Sequence, residues 1–264
     1  MIVSTPGRIC LFGEHQDYLG LPIIAAAISK RIQVKGIGKL DGEFIIHLPD
    51  IQKIEKFELD FPLEYKQDRD YFKSILNVLN RKGHQISYGL ELEVKGNIPI
   101  NSGTSSSSAL NVSFLNFLNH EFNLGYNSQE IGELAYEAEV LEFGEPGGMM
   151  DQYSTAIGNV IYLASVPKIK IDSFSKKLGT FVLGDSLEPK DTLGILSRVK
   201  YGTLAGLEKI QKEFPDFSIH KANISDLEKV KGLLSEDEYI LIKSNISDRD
   251  LLINALDLFE GNKD

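Results

Sequence analysis

The chain has 264 residues, 42% of them hydrophobic and 25% charged, enough to bury the core of one large domain or two modest ones. Its formal net charge is −10, which argues against a nucleic-acid binder with its basic face, although a local cluster such as Lys190, Arg198 and Lys200 could oppose the global sign. No apolar run is long enough to span a bilayer, no basic leader precedes a long apolar stretch at the start, and the single cysteine, Cys10, has no intramolecular disulfide partner. These features point to a cytoplasmic protein with neither nucleic acid nor membrane as a partner.

In chain order, Ile2-Val3 and the ICLFG segment read as short strands around a turn at Pro6-Gly7. Residues 21–28 form a small-residue apolar stretch suited to burial. Alternation predicts strands at 44–47, 56–59 and 90–95. Phe72, Ile75, Leu76 and Leu79 have helical spacing, as do Leu110, Phe114, Leu115, Leu118 and Phe122. Asn127 and Glu130 fit a capping box for a third helix with Ile131, Leu134, Ala135, Ala138 and Leu141 on one face, broken at Gly144. Strands are then predicted at 160–164, 168–171 and 181–183, and helices at 191–210, 224–234 and 249–259. The mixed order predicts an α+β fold, with a boundary near 164–168 that separates residues 1–165 from 166–264.

Three constellations could carry chemistry. Gly103, Thr104, Ser105, Ser106, Ser107 and Ser108 lie between a predicted strand and a predicted helix. Small residues let backbone approach a ligand, and the free N–H groups of a helix start favour an anion. The lysine of a Walker loop is absent, and a polar loop with a serine cap would use the same residues. Glu139 and Asp151 flank a glycine-rich turn that could bring both carboxylates together around a hard cation and a hydroxyl; a solvated helix face and a turn would also explain them. Arg8, Glu14, His15 and Asp17 surround a short apolar strand, where they could hold sugar hydroxyls and a phosphoryl group, or pair among themselves.

Together these segments resemble the GHMP kinases, and within them the galactokinase-like sugar-1-kinases. PGRICLFGEHQDY is similar to the family's P-G-R-(V/I)-N-L-I-G-E-H-T-D-Y, GTSSSSA to its G-L-S-S-S-A loop, and Ala138-Glu139 through Met150-Asp151-Gln152 to its A-E…M-D-Q block. Tyr71 and Lys73 match a further short galactokinase segment. The resemblance implies a two-domain architecture: a ribosomal protein S5 domain 2-like N-terminal domain and a ferredoxin-like C-terminal domain that looks truncated, since the family's last glycine-rich loop has no counterpart. It implies an ATP- and Mg²⁺-dependent transferase acting on a small-molecule sugar, at the anomeric hydroxyl. Asp151 and Arg8 match the catalytic pair, Ser107 and Glu139 the Mg²⁺ ligands, and Glu14, His15, Asp17 and Gly148 the sugar site. The run from Gly103 to Ser108 matches the loop around the ATP phosphates.

Cys10, Gln16 and Thr104 depart from the family pattern, and Arg198 falls where a sugar-contacting tyrosine is expected. An arginine there would suit an acidic sugar, whereas Arg198 could equally be a surface residue. The alternatives are another GHMP small-molecule kinase, of mevalonate or acidic-sugar type, and a catalytically silent sugar and ATP sensor of the same fold.

Overall fold

The computed structural model describes residues 1–100, 102–175, 178–184 and 192–261. Its seven strands are β1 (Ile2–Phe12), β2 (Ile23–Leu40), β3 (Glu43–Leu48), β4 (Lys53–Glu58), β5 (Gly89–Gly96), β6 (Val160–Ala164) and β7 (Lys170–Phe174). They form one mixed sheet in the order β4-β3-β5-β2-β6-β7, with β1 also paired to β2. Every pairing is antiparallel except β3 with β5. The long β2 organises the sheet. Its first residues pair with β6 and its later ones with β5, while β1 runs along the opposite edge.

Alternation along β2 buries both faces. Ile23 and Ala25 pack with Met150 and Tyr153 of α4 (Met150–Ile157), whereas Ile24 and Ala26 pack with Leu252 and Ala255 of α7 (Glu236–Phe259). The main core lies between the other strands and the helices α1 (Tyr71–Arg81), α2 (Ser106–Glu121) and α3 (Ser128–Tyr136), with Phe44 stacked on Phe57 and edge-on to Phe114. Beyond Phe174 the described elements are helices: α5 (Thr192–Glu213), α6 (Ile224–Val230) and α7. Their core, including Leu207, Leu227 and Ile242, also takes in Leu21 from the loop after the first motif. No helix among the described residues is long and apolar enough to cross a membrane.

Several elements differ from the sequence expectations. The segments either side of Pro6-Gly7 form one continuous strand, because an irregularity in the register absorbs the disruption there. Residues 181–183 form no strand; Phe181, Val182 and Leu183 are exposed and gain no burial that would favour one. Asp191 and Lys190 lie outside the described residues, and α7 begins well before residue 249 behind a Ser235–Glu238 capping box. The third helix ends in a π-turn, Glu137–Leu141, which breaks the 3.6-residue periodicity. Leu141 is therefore 57% exposed, while Ala138, Glu139 and Val140 are buried in succession.

Candidate active site

The predicted site residues converge on one cavity of about 430 Å³. Its walls include Arg8, Glu14, His15, Asp17, Gly103, Ser105, Ser106, Ser107, Glu139, Gly148 and Asp151. Thr104 and Ser108 point elsewhere: both are buried, Thr104 hydrogen-bonding Ser102 and Ser108 accepting from Gln152.

Arg8 enters from the middle of β1. Gly7 permits this, because a Cβ there would sit 2.7 Å from the Thr104 carbonyl oxygen. The close approach lets the Arg8 N–H donate to the same oxygen, tying β1 to the serine loop. The guanidinium is 5% exposed as a residue and fully engaged. Nε and Nη2 donate to Asp151 Oδ1 at 2.8 and 2.5 Å, and Nη1 donates to the Gly103 carbonyl at 2.7 Å. Burial disfavours the Arg8 cation, but Asp151 and Glu14 outweigh it and hold its pKa above the usual arginine value. Arg8 thus pairs with Asp151 across the fold, rather than with its sequence neighbours Glu14 or Asp17. Asp151 sits in the first turn of α4, where the helix dipole favours an anion.

The serine loop leaves its helix start open. Gly103 and Ser105 both adopt left-handed backbone, the latter at φ +59°, as the N-cap of α2. Ser105 makes no side-chain cap, and its buried Oγ has no partner among the described residues. The first N–H groups of α2 are therefore not capped by that side chain, beside a polar group without a partner, which suits an incoming anion.

Beside that helix start lies Glu139, turned inward by the π-turn. Gln152 Nε2 donates to its Oε2 at 2.8 Å. Burial pushes Glu139 up to about 7, against the stabilising influence of Gln152 and the neighbouring serine hydroxyls, and the charge of Asp151 adds to the rise. No cluster of three or more His, Cys, Asp or Glu side chains able to hold a metal occurs among the described residues. One carboxylate and one hydroxyl, Glu139 and Ser107, could together supply two ligands to a hard cation. The pair fits Mg²⁺, which takes few protein ligands and completes its shell with water and phosphate oxygens.

Glu14, His15 and Asp17 also line the cavity. Asp17 is buried; its Oδ2 accepts from the Met150 N–H at 2.9 Å and its Oδ1 from the Tyr18 N–H at 3.1 Å. Burial pushes its carboxyl above the ordinary range, while the two N–H groups pull it back. Gly148 makes this fit possible, since a Cβ at that position would lie 2.0 Å from Asp17 Oδ2. Gly148→Ala must therefore displace a carboxylate held by two backbone N–H groups. Overpacking of this kind costs roughly 1–3 kcal/mol, so the melting temperature should fall by roughly 2–10 °C in calorimetry. A melt within about 1 °C of wild type would show that Asp17 is free to move.

Sequence reasoning missed several walls. Arg69 and Glu145 form an ion pair on the cavity edge, with Nε to Oε1 at 2.5 Å and Nη2 to Oε2 at 2.9 Å. An apolar end contains Leu48, Ile51, Val94, Ile98 and Leu110. Leu196, not Arg198, reaches the cavity from α5; Arg198 is exposed and paired with Asp237. The helical signal of that segment was legible, but which of its faces meets the cavity depends on packing.

Residues 70–159 match the model of the GHMP kinases N terminal domain, and residues 1–35 match the galactokinase galactose-binding signature. Over these two segments the chain is similar to the galactokinase-like GHMP kinases. It is 33% identical over 158 residues to galactokinase of Thermococcus kodakarensis, covering 60% of this chain and 44% of that one. To galactokinase of Mannheimia succiniciproducens it is 28% identical over 167 residues, covering 62% and 43% respectively. The chain thus spans less than half the length of these curated relatives. Its fold superposes on Lactococcus lactis galactokinase complexed with galactose, with a TM-score of 0.77 at 22% identity, over 98% of this chain and 70% of that one. The mevalonate kinase of Methanococcus jannaschii shares the fold at a TM-score of 0.61 and 18% identity, over 88% and 79%.

Proposed function

We propose that this chain carries the catalytic centre of a sugar kinase, transferring the terminal phosphoryl group of ATP to the anomeric hydroxyl of a monosaccharide. The observation behind the reading is the Arg8–Asp151 pair, which lines the same cavity as the open start of α2. Glu14, His15 and Asp17 bind the sugar hydroxyls, with Gly148 keeping room for Asp17. Asp151 orients the reacting hydroxyl and accepts its proton, and Arg8 fixes the orientation of Asp151 through its two hydrogen bonds to Oδ1. Residues 103–107 would cradle the phosphates, and Ser107 with Glu139 would hold the magnesium ion. ATP supplies the phosphoryl group and Mg²⁺ offsets its charge, a reaction that depends on alignment and electrostatics more than on covalent help from the protein.

The cavity favours a neutral sugar, galactose first, over an acidic one. Arg198, the residue that would have recognised an acidic group, faces solvent against Asp237, and apolar Leu196 takes the nearby position on the wall. A cytoplasmic setting, where ATP and Mg²⁺ are abundant, goes with this reading.

The test is ADP release from Mg-ATP with galactose, galacturonate, mevalonate and homoserine in parallel. Galactose-dependent ADP, with a sugar 1-phosphate seen by phosphorus NMR, is the expected result. Sugar and nucleotide binding without ADP from any acceptor would instead favour the silent sensor.

A further inference from the structure

We propose that Arg69 is a phosphate-binding residue of this site, held in reserve by Glu145 and released to the terminal phosphate of the nucleotide. The inference rests on the kinase reading above and adds a cation which that reading does not contain.

The cavity is short of available positive charge. Its walls bring Glu14, Asp17, Asp50, Glu139, Glu145 and Asp151 against Arg8, Arg69 and Lys95. A nucleoside triphosphate adds several negative charges, and one magnesium ion offsets two of them. Arg8 cannot supply the balance, because each of its three guanidinium nitrogens already donates to Asp151 or Gly103. Arg69 differs. Two of its nitrogens hold Glu145, while Nη1 has no partner among the described residues, and a third of the side chain is exposed.

Its placement fits the phosphate end of the cavity. Arg69 feels the charge of Glu139, the carboxylate beside the α2 start. Tyr71, two residues on, lines the same cavity as Ser107 of that helix start. The Arg69 backbone is also left-handed, at φ +59°, an unfavourable state for a long side chain that persists only where surrounding structure imposes it. Here Asp70 fixes the loop on its far side, taking the Lys66 N–H and the buried Lys73 ammonium. The planar fork of Arg69 pairs with phosphate oxygens as readily as with the Glu145 carboxylate. Glu145 lies in the glycine-rich turn that leads to Asp151, so the exchange would leave that turn free to adjust as nucleotide arrives.

Calorimetric titration of the full chain with Mg-AMPPNP and with Mg-ADP tests this without requiring turnover. Arg69→Gln should weaken AMPPNP binding tenfold or more and ADP binding less than threefold. Arg69→Lys should recover part of the loss, and Glu145→Gln should leave AMPPNP binding intact or tighter. Equal losses for both nucleotides, or a lower melting temperature with no change in either affinity, would show that Arg69 only clasps the loop and overturn the proposal. A wild-type chain that binds neither nucleotide removes the kinase reading along with it. A wild type that binds both, with an unchanged Arg69→Gln, removes the Arg69 role alone.

Discussion

Asp151→Asn is expected to lower kcat by about 10²–10⁴-fold, the range for losing a positioned general base, while nucleotide affinity stays within about twofold. The geometry explains why the substitution should be selective. Both Arg8 contacts fall on Asp151 Oδ1, which leaves Oδ2 outside the ion pair and able to face a substrate hydroxyl. An asparagine oxygen can still accept from Arg8 at the Oδ1 position, so the buried guanidinium keeps a partner and the fold should hold. What is lost is the basic lone pair at Oδ2, replaced by an NH₂ that cannot take a proton. Arg8→Ala makes the complementary comparison. It removes the partner that anchors Asp151, and it also frees the Gly103 carbonyl and the first turn of the serine loop. That variant should lose nucleotide affinity as well as turnover. Single-turnover phosphoryl transfer measured beside nucleotide titration separates the two effects. Near-normal kcat in Asp151→Asn would reject the base role.

Much of the site was legible in the sequence because its parts are local. PGRICLFGEH is a strand running into a loop, and GTSSSSA is a loop running into a helix. Each carries its signal in glycine placement and hydrophobic spacing. The capping box at Asn127–Glu130 was readable for the same reason, and both of its reciprocal hydrogen bonds are present. What could not be read depends on pairs distant in the chain. Arg8 meets Asp151 across 143 positions; the family resemblance points to that partner, but no local rule distinguishes it from Glu14 or Asp17. The π-turn at 137–141 is invisible to a helical template, which therefore assigned Leu141 to the buried face. The Arg69–Glu145 pair joins two loops with no regular periodicity. In α5 the helix itself was predictable, but which side faces the cavity is set by packing on Leu21 and α7, and this turns Leu196 inward and Arg198 outward.

Glu139→Gln is expected to raise the Mg²⁺ concentration needed for half-maximal activity by at least tenfold, and also to stabilise the metal-free protein above neutral pH. The two effects have one cause, a buried carboxylate at the place where the proposed function puts a cation. In the folded chain Glu139 titrates near 7, against an ordinary value of 4.5, because burial disfavours its charge. A folded pKa raised in this way favours the neutral acid. Its contribution to stability is full below about pH 4.5 and is lost as the pH climbs through 7. At 1.36 kcal/mol per pKa unit the loss is on the order of a few kcal/mol. A glutamine carries no charge to desolvate and can still accept from Gln152 Nε2. In EDTA the variant should therefore melt at nearly the wild-type temperature at pH 4–5 and several degrees higher at pH 8. With metal the order reverses. The ion needs the carboxylate, so for the wild type binding releases a proton below pH 7, and the apparent Mg²⁺ affinity should fall about tenfold per pH unit there. Glu139→Gln should show a weaker affinity that does not vary with pH. Matching Mg²⁺ titrations for the two proteins at pH 6 and pH 8 would remove Glu139 from the metal site, whatever the melting curves showed.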